Sequence, residues 1–424
     1  MVRGPAKSGF LRHVLTVSAG QVVTSAIPLF TAPLLGRLYT PKDYGLLAAY
    51  MGYAMVFGSI ATWQYSQAIV IEKTEVAART LVQLCFLVAL VTSILSLPFA
   101  VWMSVQFGAG RGLWFLLLPA SVLAAGVAAC LAALANRWEL YARSAKVQWL
   151  PAMVTAILSV SLALMGLRET GLLLAYLVGQ VVMIGVSCWV VSARFNNPIK
   201  AFSWLRVRAL AFKHRDFAIF TTPTGFLSAS TISAPVFVLT AIGLTTGVGF
   251  FNRANQLLAL PFNLIGSAIA QVFQRRAAQD MNTTGSCRPL YLKTLGLLLV
   301  LGTPPILLLA YAGPALFGWF LGANWVEAGD VARLLAPMLL LRLLCSPLST
   351  VFFVVGAQRL DFGLTMAGCV ISWAGVVGAS CMIGTLKSVV VAYSAGYSLT
   401  YAVFVMVGWR LAGGGGGSLK MNRG

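Results

Sequence analysis

The residues best suited to bind a polar molecule in this chain are amides. Between Gly247 and Arg276 the sequence reads GVGFFNRANQLLALPFNLIGSAIAQVFQRR. At 100° per residue, Asn252, Gln256, Asn263, Ser267 and Gln274 fall within about one sixth of a turn, with Arg253 and Gln271 on the flank. Amides both donate and accept hydrogen bonds, and a guanidinium fork matches phosphate oxygens in pairs. Such a stripe suits hydroxylated or anionic groups rather than acid–base chemistry. The ten carboxylates all lie in polar gaps or at the ends of apolar runs, so no proton or sodium site is expected in the middle of a run. His13 and His214 stand at the starts of two runs. Six of the seven cysteines sit inside apolar runs and none forms a CxxC pair, which reads as small buried hydrophobes rather than a disulfide framework or a zinc site. No metal or cofactor is expected.

Four further groups are candidates for the same polar path. Thr221, Thr224, Ser228, Thr231 and Pro235 share about 80° of a helical wheel; Ser18, Gln21, Ser25 and Pro28 line one side of an earlier stretch; Tyr53, Gln64 and Gln67 line another. Arg342 lies about 16 Å into ARLLAPMLLLRLLCSPLST, with Ser346 and Ser349 on its face. A charge at that depth costs at least about 3 kcal/mol if it faces lipid, so it is expected to face protein, as a binding group or as an anchor bonded to backbone carbonyls. Arg37 and Arg253, at the outer ends of striped runs, either reach the headgroups or form a cationic wall. For Ser and Thr, helix packing is the competing reading.

The elements that carry these residues are set by composition. Of 424 residues, 59% are hydrophobic and 9% charged, against about 25% charged in ordinary globular domains; the mean hydropathy is +0.86. Apolar runs predict about twelve membrane-spanning helices, near 11–36, 45–71, 80–105, 113–135, 147–167, 171–192, 217–243, 247–274, 291–312, 331–355, 360–382 and 387–409. The net charge of +20 is spread between these runs rather than gathered in one patch, which argues against nucleic acid as a partner. Alternate gaps hold 22 of the 30 Lys and Arg. By the positive-inside rule both termini are cytoplasmic.

The chain divides into a six-helix segment 1–192, a basic linker 193–216 with room for a short helix on anionic headgroups, a second six-helix segment 217–410, and a glycine-rich tail 411–424. An offset of 204 residues lays Gly45 over Gly249, a faint repeat of the parallel kind found in several transporter folds.

RLYTPKDYGLLA (Arg37 to Ala48), QAIVIEK (Gln67 to Lys73), FFNRANQLLALPFNLIGSAIAQVFQRRAAQ (Phe250 to Gln279) and LFGWFLGANWVEAGDVARLLAPMLLLRLLCSPLSTVFFVVGAQRLDF (Leu316 to Phe362) resemble Wzx-type polysaccharide biosynthesis flippases. These belong to the multidrug/oligosaccharidyl-lipid/polysaccharide exporter superfamily. The resemblance implies an all-α polytopic fold with two pseudo-symmetric six-helix bundles around a central cavity lined by helices one, two, seven and eight. It implies a non-enzymatic function in the bacterial cytoplasmic membrane. By alternating access, undecaprenyl-pyrophosphate-linked oligosaccharide would pass to the outer leaflet for O-antigen, lipopolysaccharide or exopolysaccharide assembly. Expected partners are that lipid-linked substrate, the bilayer, and the polysaccharide polymerase and export machinery. A MATE-like cation-coupled exporter is the alternative; it favours acidic cavity residues. A membrane glycosyltransferase or polymerase is a third reading, which calls for a placed carboxylate base and a larger outer loop.

Overall fold

The computed structural model describes residues 24, 26–192, 194 and 203–413, and among these every regular element is helical. Helix α1 (Ala26–Leu38) turns into α2 (Pro41–Ser59) through the corner LYTPKD. The Asp43 carboxylate accepts from the Thr40 N–H and hydroxyl, each at 2.8 Å, while the Asp43 N–H donates back to the Thr40 hydroxyl at 3.4 Å. Pro41 fills the first helical position, where its missing N–H leaves nothing unsatisfied.

The second expected span, 45–71, is a broken helix. Trp63 and Gln64 adopt left-handed φ values of 44° and 58°, and α3 (Tyr65–Ile71) restarts beyond them. Such angles are strained for residues with a Cβ. Gln64 Nε2 offsets part of the strain by donating to the Ser59 carbonyl at 2.9 Å.

The chain continues as α4 (Glu75–Leu95), α5 (Leu97–Arg111), α6 (Leu118–Arg137), α7 (Tyr141–Leu164), α8 (Arg168–Ser192), α9 (Trp204–Lys213), α10 (Thr222–Ala241), α11 (Thr245–Thr284), α12 (Arg288–Leu321), α13 (Val326–Leu348), α14 (Thr350–Val355), α15 (Gln358–Met382) and α16 (Leu386–Ala412). Ten segments among the described residues, from Glu75–Gly108 to Leu386–Ala412, are long and apolar enough to cross a membrane. With α1 and the α2–α3 pair in the place of the first two expected spans, about twelve is the right count. Helix α11 outruns its expected limits. Its 40 residues measure about 60 Å, twice a hydrocarbon core, and Gly285, at φ 69°, stops it.

The described residues form two compact units. One holds those up to Tyr39 together with Leu47–Ser233; the other holds Thr40–Leu46 and those from Ala234 onward. In the first, Tyr65, Ile69, Leu81, Cys85, Leu134, Val190 and Val207 build the core. The second is built on buried Trp325, Tyr291, Phe352 and Leu339. Here the first turn of α2 crosses the start of α11 almost backbone to backbone. A Cβ on Gly45 would stand 1.9 Å from the Thr245 carbonyl oxygen, and one on Gly249 would stand 1.8 Å from that of Pro41. The offset of 204 carries Pro41 to Thr245 and Gly45 to Gly249, so these two contacts are images of each other. The offset read from the sequence thus relates two close approaches within the second unit.

Candidate functional site

Helix α11 sorts its side chains into two faces. Phe250, Phe251, Arg253, Ala254, Leu257, Phe262, Gly266, Phe273 and Ala277 are buried. Gln256, Asn263, Ser267, Gln271 and Gln274 are exposed, and Asn252 is half-buried. Most of the amide stripe read from the sequence is therefore an open face of a spanning helix. An amide left against hydrocarbon forfeits its hydrogen bonds at a cost of several kcal/mol, so this face calls for water or a polar ligand.

Arg342 joins that face from α13. Its guanidinium donates to Asn263 Oδ1 at 3.3 Å, a side-chain partner rather than a backbone carbonyl. One helical turn further on, exposed Ser346 lies beside α11, its Oγ 3.4 Å from where a Cβ on Gly266 would be. Tyr393, Tyr397 and Tyr401 of α16 stand within electrostatic range of Arg342. Their rings form a ladder with centroids 4.9 and 5.5 Å apart. Asn263, Arg342 and Tyr397 each lie near the middle of their own spanning segment. The result is a mid-span group of a cation, an amide, a hydroxyl and aromatic faces. The ladder was absent from the residues expected to bind, although its i, i+4, i+8 spacing in YSAGYSLTY is visible in the sequence.

The remaining candidates are placed differently. Arg253 is 3% exposed and turned to the packed face, its guanidinium over the Tyr44 ring at 4.6 Å. Tyr44 in turn meets Trp325 edge-on at 5.3 Å, as Phe250 does at 6.2 Å. Arg253 thus belongs to the clasp between α2 and α11 and stands apart from the amide stripe. Arg37 is exposed near the end of α1. Gln64 and Gln67 bond each other at 2.8 Å, and Gln64 Nε2 lies 3.4 Å from where a Cβ on Gly225 of α10 would be. Half-buried Thr224 and Ser228 flank that glycine, so the first unit brings these four candidates into one neighbourhood. The α10 hydroxyls largely serve their own helix: Thr224 donates to the Phe220 carbonyl at 2.7 Å and Thr231 to that of Leu227 at 2.7 Å. Gln21 and Ser25 lie outside the described residues.

In the first unit, Glu72 Oε2 accepts from Lys213 Nζ at 2.7 Å and from the His214 ring at 2.8 Å. Arg137 donates to the Ile69 and Glu72 carbonyls. The Lys213 and His214 bonds hold the Glu72 carboxyl well below the ordinary carboxylate range, at about 2.

The polysaccharide biosynthesis protein family matches residues 34–330 of the chain. Among solved structures, the chain is similar to one described as lipid II flippase MurJ in an inward closed conformation, with a TM-score of 0.73, 13% identity, and coverage of 93% of this chain and 87% of that one. It is also similar to a MATE crystal structure in complex with MaL6, with a TM-score of 0.60, 14% identity, and coverage of 94% and 96%. A MOP superfamily transporter from Pyrococcus furiosus gives a TM-score of 0.57, 14% identity, and coverage of 97% and 96%. No curated protein sequence matches the chain. At these identities the structural likeness is one of fold, and the solved proteins are flippases and transporters by description. The chain has their all-helical, multi-pass membrane fold, and it belongs to the polysaccharide biosynthesis protein family.

Proposed function

We propose that this protein is a flippase for undecaprenyl-pyrophosphate-linked oligosaccharide repeat units. It carries them from the cytoplasmic to the outer leaflet of a bacterial cytoplasmic membrane, by alternating access, for O-antigen, exopolysaccharide or similar surface polysaccharide assembly. The observation that carries this reading is the open polar face of α11 with Arg342 bonded to Asn263 at mid-span. A pyrophosphate and its sugars cannot cross hydrocarbon unaided, and they need such a face for the passage. Arg342 exchanges its weak amide partner for phosphate oxygens, which accept from both arms of the guanidinium. Gln256, Asn263, Ser267 and Gln271 hydrogen-bond the sugar hydroxyls in turn. The Tyr397 and Tyr401 rings offer flat apolar faces to the C–H side of the sugars. The prenyl tail stays in lipid.

Reconstitution in liposomes with a defined lipid-linked oligosaccharide, with and without a pH gradient, tests this reading. Because hydrogen bonds to charged groups contribute about 1.5–3 kcal/mol, Arg342→Gln is expected to slow translocation roughly tenfold or more with its melting temperature unchanged. Arg253→Ala, at the clasp, is expected to lower the melting temperature, and its translocation to fall only in step with that. Undiminished translocation by a stable Arg342→Gln protein would sink the assignment. Competition by an organic cation would favour the exporter reading instead.

A further inference from the structure

Helix α9 has two opposed faces, and among the described residues only one of them is packed into the core. Val207 is buried in the core of the first unit, with Leu210 and Ala211 packed against the same cluster. The Tyr65 hydroxyl donates to the Ala211 carbonyl at 3.2 Å, and Lys213 and His214 fix the end of the helix to Glu72. The docking is thus apolar along the length of the helix and ionic at its C-terminus.

The opposite face looks outward. Leu205 is 80% and Phe212 68% exposed; they are seven residues apart, which on a helix means one above the other. Leu205, Arg208, Ala209, Phe212 and Arg215 line one shallow groove, and the Arg215 guanidinium rests over the Phe212 ring at 4.5 Å. Exposed Arg206 stands on the other flank. The helix itself carries no acid; Asp216 follows it. The next spanning segment begins at Phe217, so the helix sits where a chain enters the membrane. Bulky apolar side chains flanked by arginines form the arrangement that lies at a bilayer interface, with its apolar side among acyl chains and its cations among phosphates.

We infer that the outer face of α9 binds an anionic glycerophospholipid, Arg208 and Arg215 taking the headgroup phosphate while Leu205 and Phe212 seat among the acyl chains. The occupant is a bilayer lipid because a free phosphate would leave Leu205 and Phe212 in water. The site shares no residue with the mid-span polar face, and it fastens a helix that is itself bolted through Glu72 to the corner between α3 and α4.

The test uses the full-length protein in uncharged detergent, melted with added dioleoylphosphatidylglycerol, dioleoylphosphatidylcholine or inorganic phosphate. The anionic lipid is expected to raise the melting temperature, with phosphatidylcholine giving a smaller rise and inorganic phosphate none. With each basic residue near an anionic surface contributing about 1 kcal/mol, R208Q/R215Q is expected to bind phosphatidylglycerol about thirtyfold more weakly. L205Q/F212Q is expected to lose most of the increment as well. Both variants alter exposed side chains only, so their melting in phosphatidylcholine reports whether the fold is intact. R410Q, in the second unit, serves as the control and keeps the wild-type increment. An increment equal to wild type in R208Q/R215Q overturns the site, and stabilisation by inorganic phosphate alone overturns the choice of a lipid.

Discussion

Glu72 receives a lysine and an imidazole on one oxygen, and those donors draw its carboxyl from an ordinary 4.5 down to about 2. A depressed carboxylate contributes stability that is fully present above the ordinary value and is lost as pH falls through the folded one. The contribution has an upper bound of about 3 kcal/mol, lowered because Lys213 is 56% exposed and solvent screens the pair. Glu72→Gln is therefore expected to melt below wild type at pH 7, with the gap closing as the pH is taken from 5 towards 3. A gap that stays constant across that range would mean that the glutamate acts by packing alone. Residue type and helical phase bring out the α11 amides; Gln256, Asn263, Gln271 and Gln274 are exposed and Asn252 is half-buried. Phase alone could not orient Arg253, because a position on the flank of the stripe borders the packed face as well. Only the placement of Tyr44 against it, by way of a distant corner, decides. Lys213 and His214 stand more than 140 positions from Glu72 along the chain, and nothing local in the sequence joins them to it.

Helices α2 and α11 meet through two glycines that share one job. With a carbonyl oxygen 1.9 or 1.8 Å from the place a Cβ would take, neither Gly45 nor Gly249 tolerates even alanine without the helices moving apart. Overpacking of this kind typically costs about 1–3 kcal/mol. Because the two contacts are images under the offset of 204, Gly45→Ala and Gly249→Ala are expected to destabilise by similar amounts. Once one methyl has parted the helices, the other meets no carbonyl, so the double variant is expected to lose clearly less than the sum of the singles. Thermal melts of the three proteins measure this, and strict additivity would mean that the two contacts are independent. The spans themselves were legible because lipid demands long apolar helices. The break between α2 and α3 is not, because residues 60–64, where the chain turns, contain neither Gly nor Pro: it rests on Trp63 and Gln64 in a conformation their types disfavour, held by the Ser59 carbonyl.

Within each unit, several gaps that charge counting placed on the same side of the membrane are in contact. In the first unit, the gap after the second expected span supplies Glu72 and Glu75, the gap after the fourth supplies Arg137, and the gap after the sixth supplies Lys213 and His214; these residues bond one another. In the second unit, Ser286 and Cys287 both donate to the Ala412 carbonyl, at 3.0 and 2.9 Å, and Arg288 rests over Trp409 at 4.0 Å. The gaps assigned to the outside also meet, with Trp325 against Tyr44 and Phe250 and Gly45 against Thr245. Within each unit these contacts group the gaps, and the excess of Lys and Arg predicts which group faces the cytoplasm. Direction of transport depends on that second step. With exposed Cys188 and Cys381 replaced by serine, Asn324→Cys and Asn282→Cys, both at exposed positions, place one thiol on each side. An impermeant maleimide is expected to label Asn324→Cys only in right-side-out vesicles and Asn282→Cys only in inside-out ones. Labelling in the opposite sense would put the basic gaps and α9 on the outer surface. The proposed passage from the cytoplasmic leaflet outward would then have its entrance and exit exchanged.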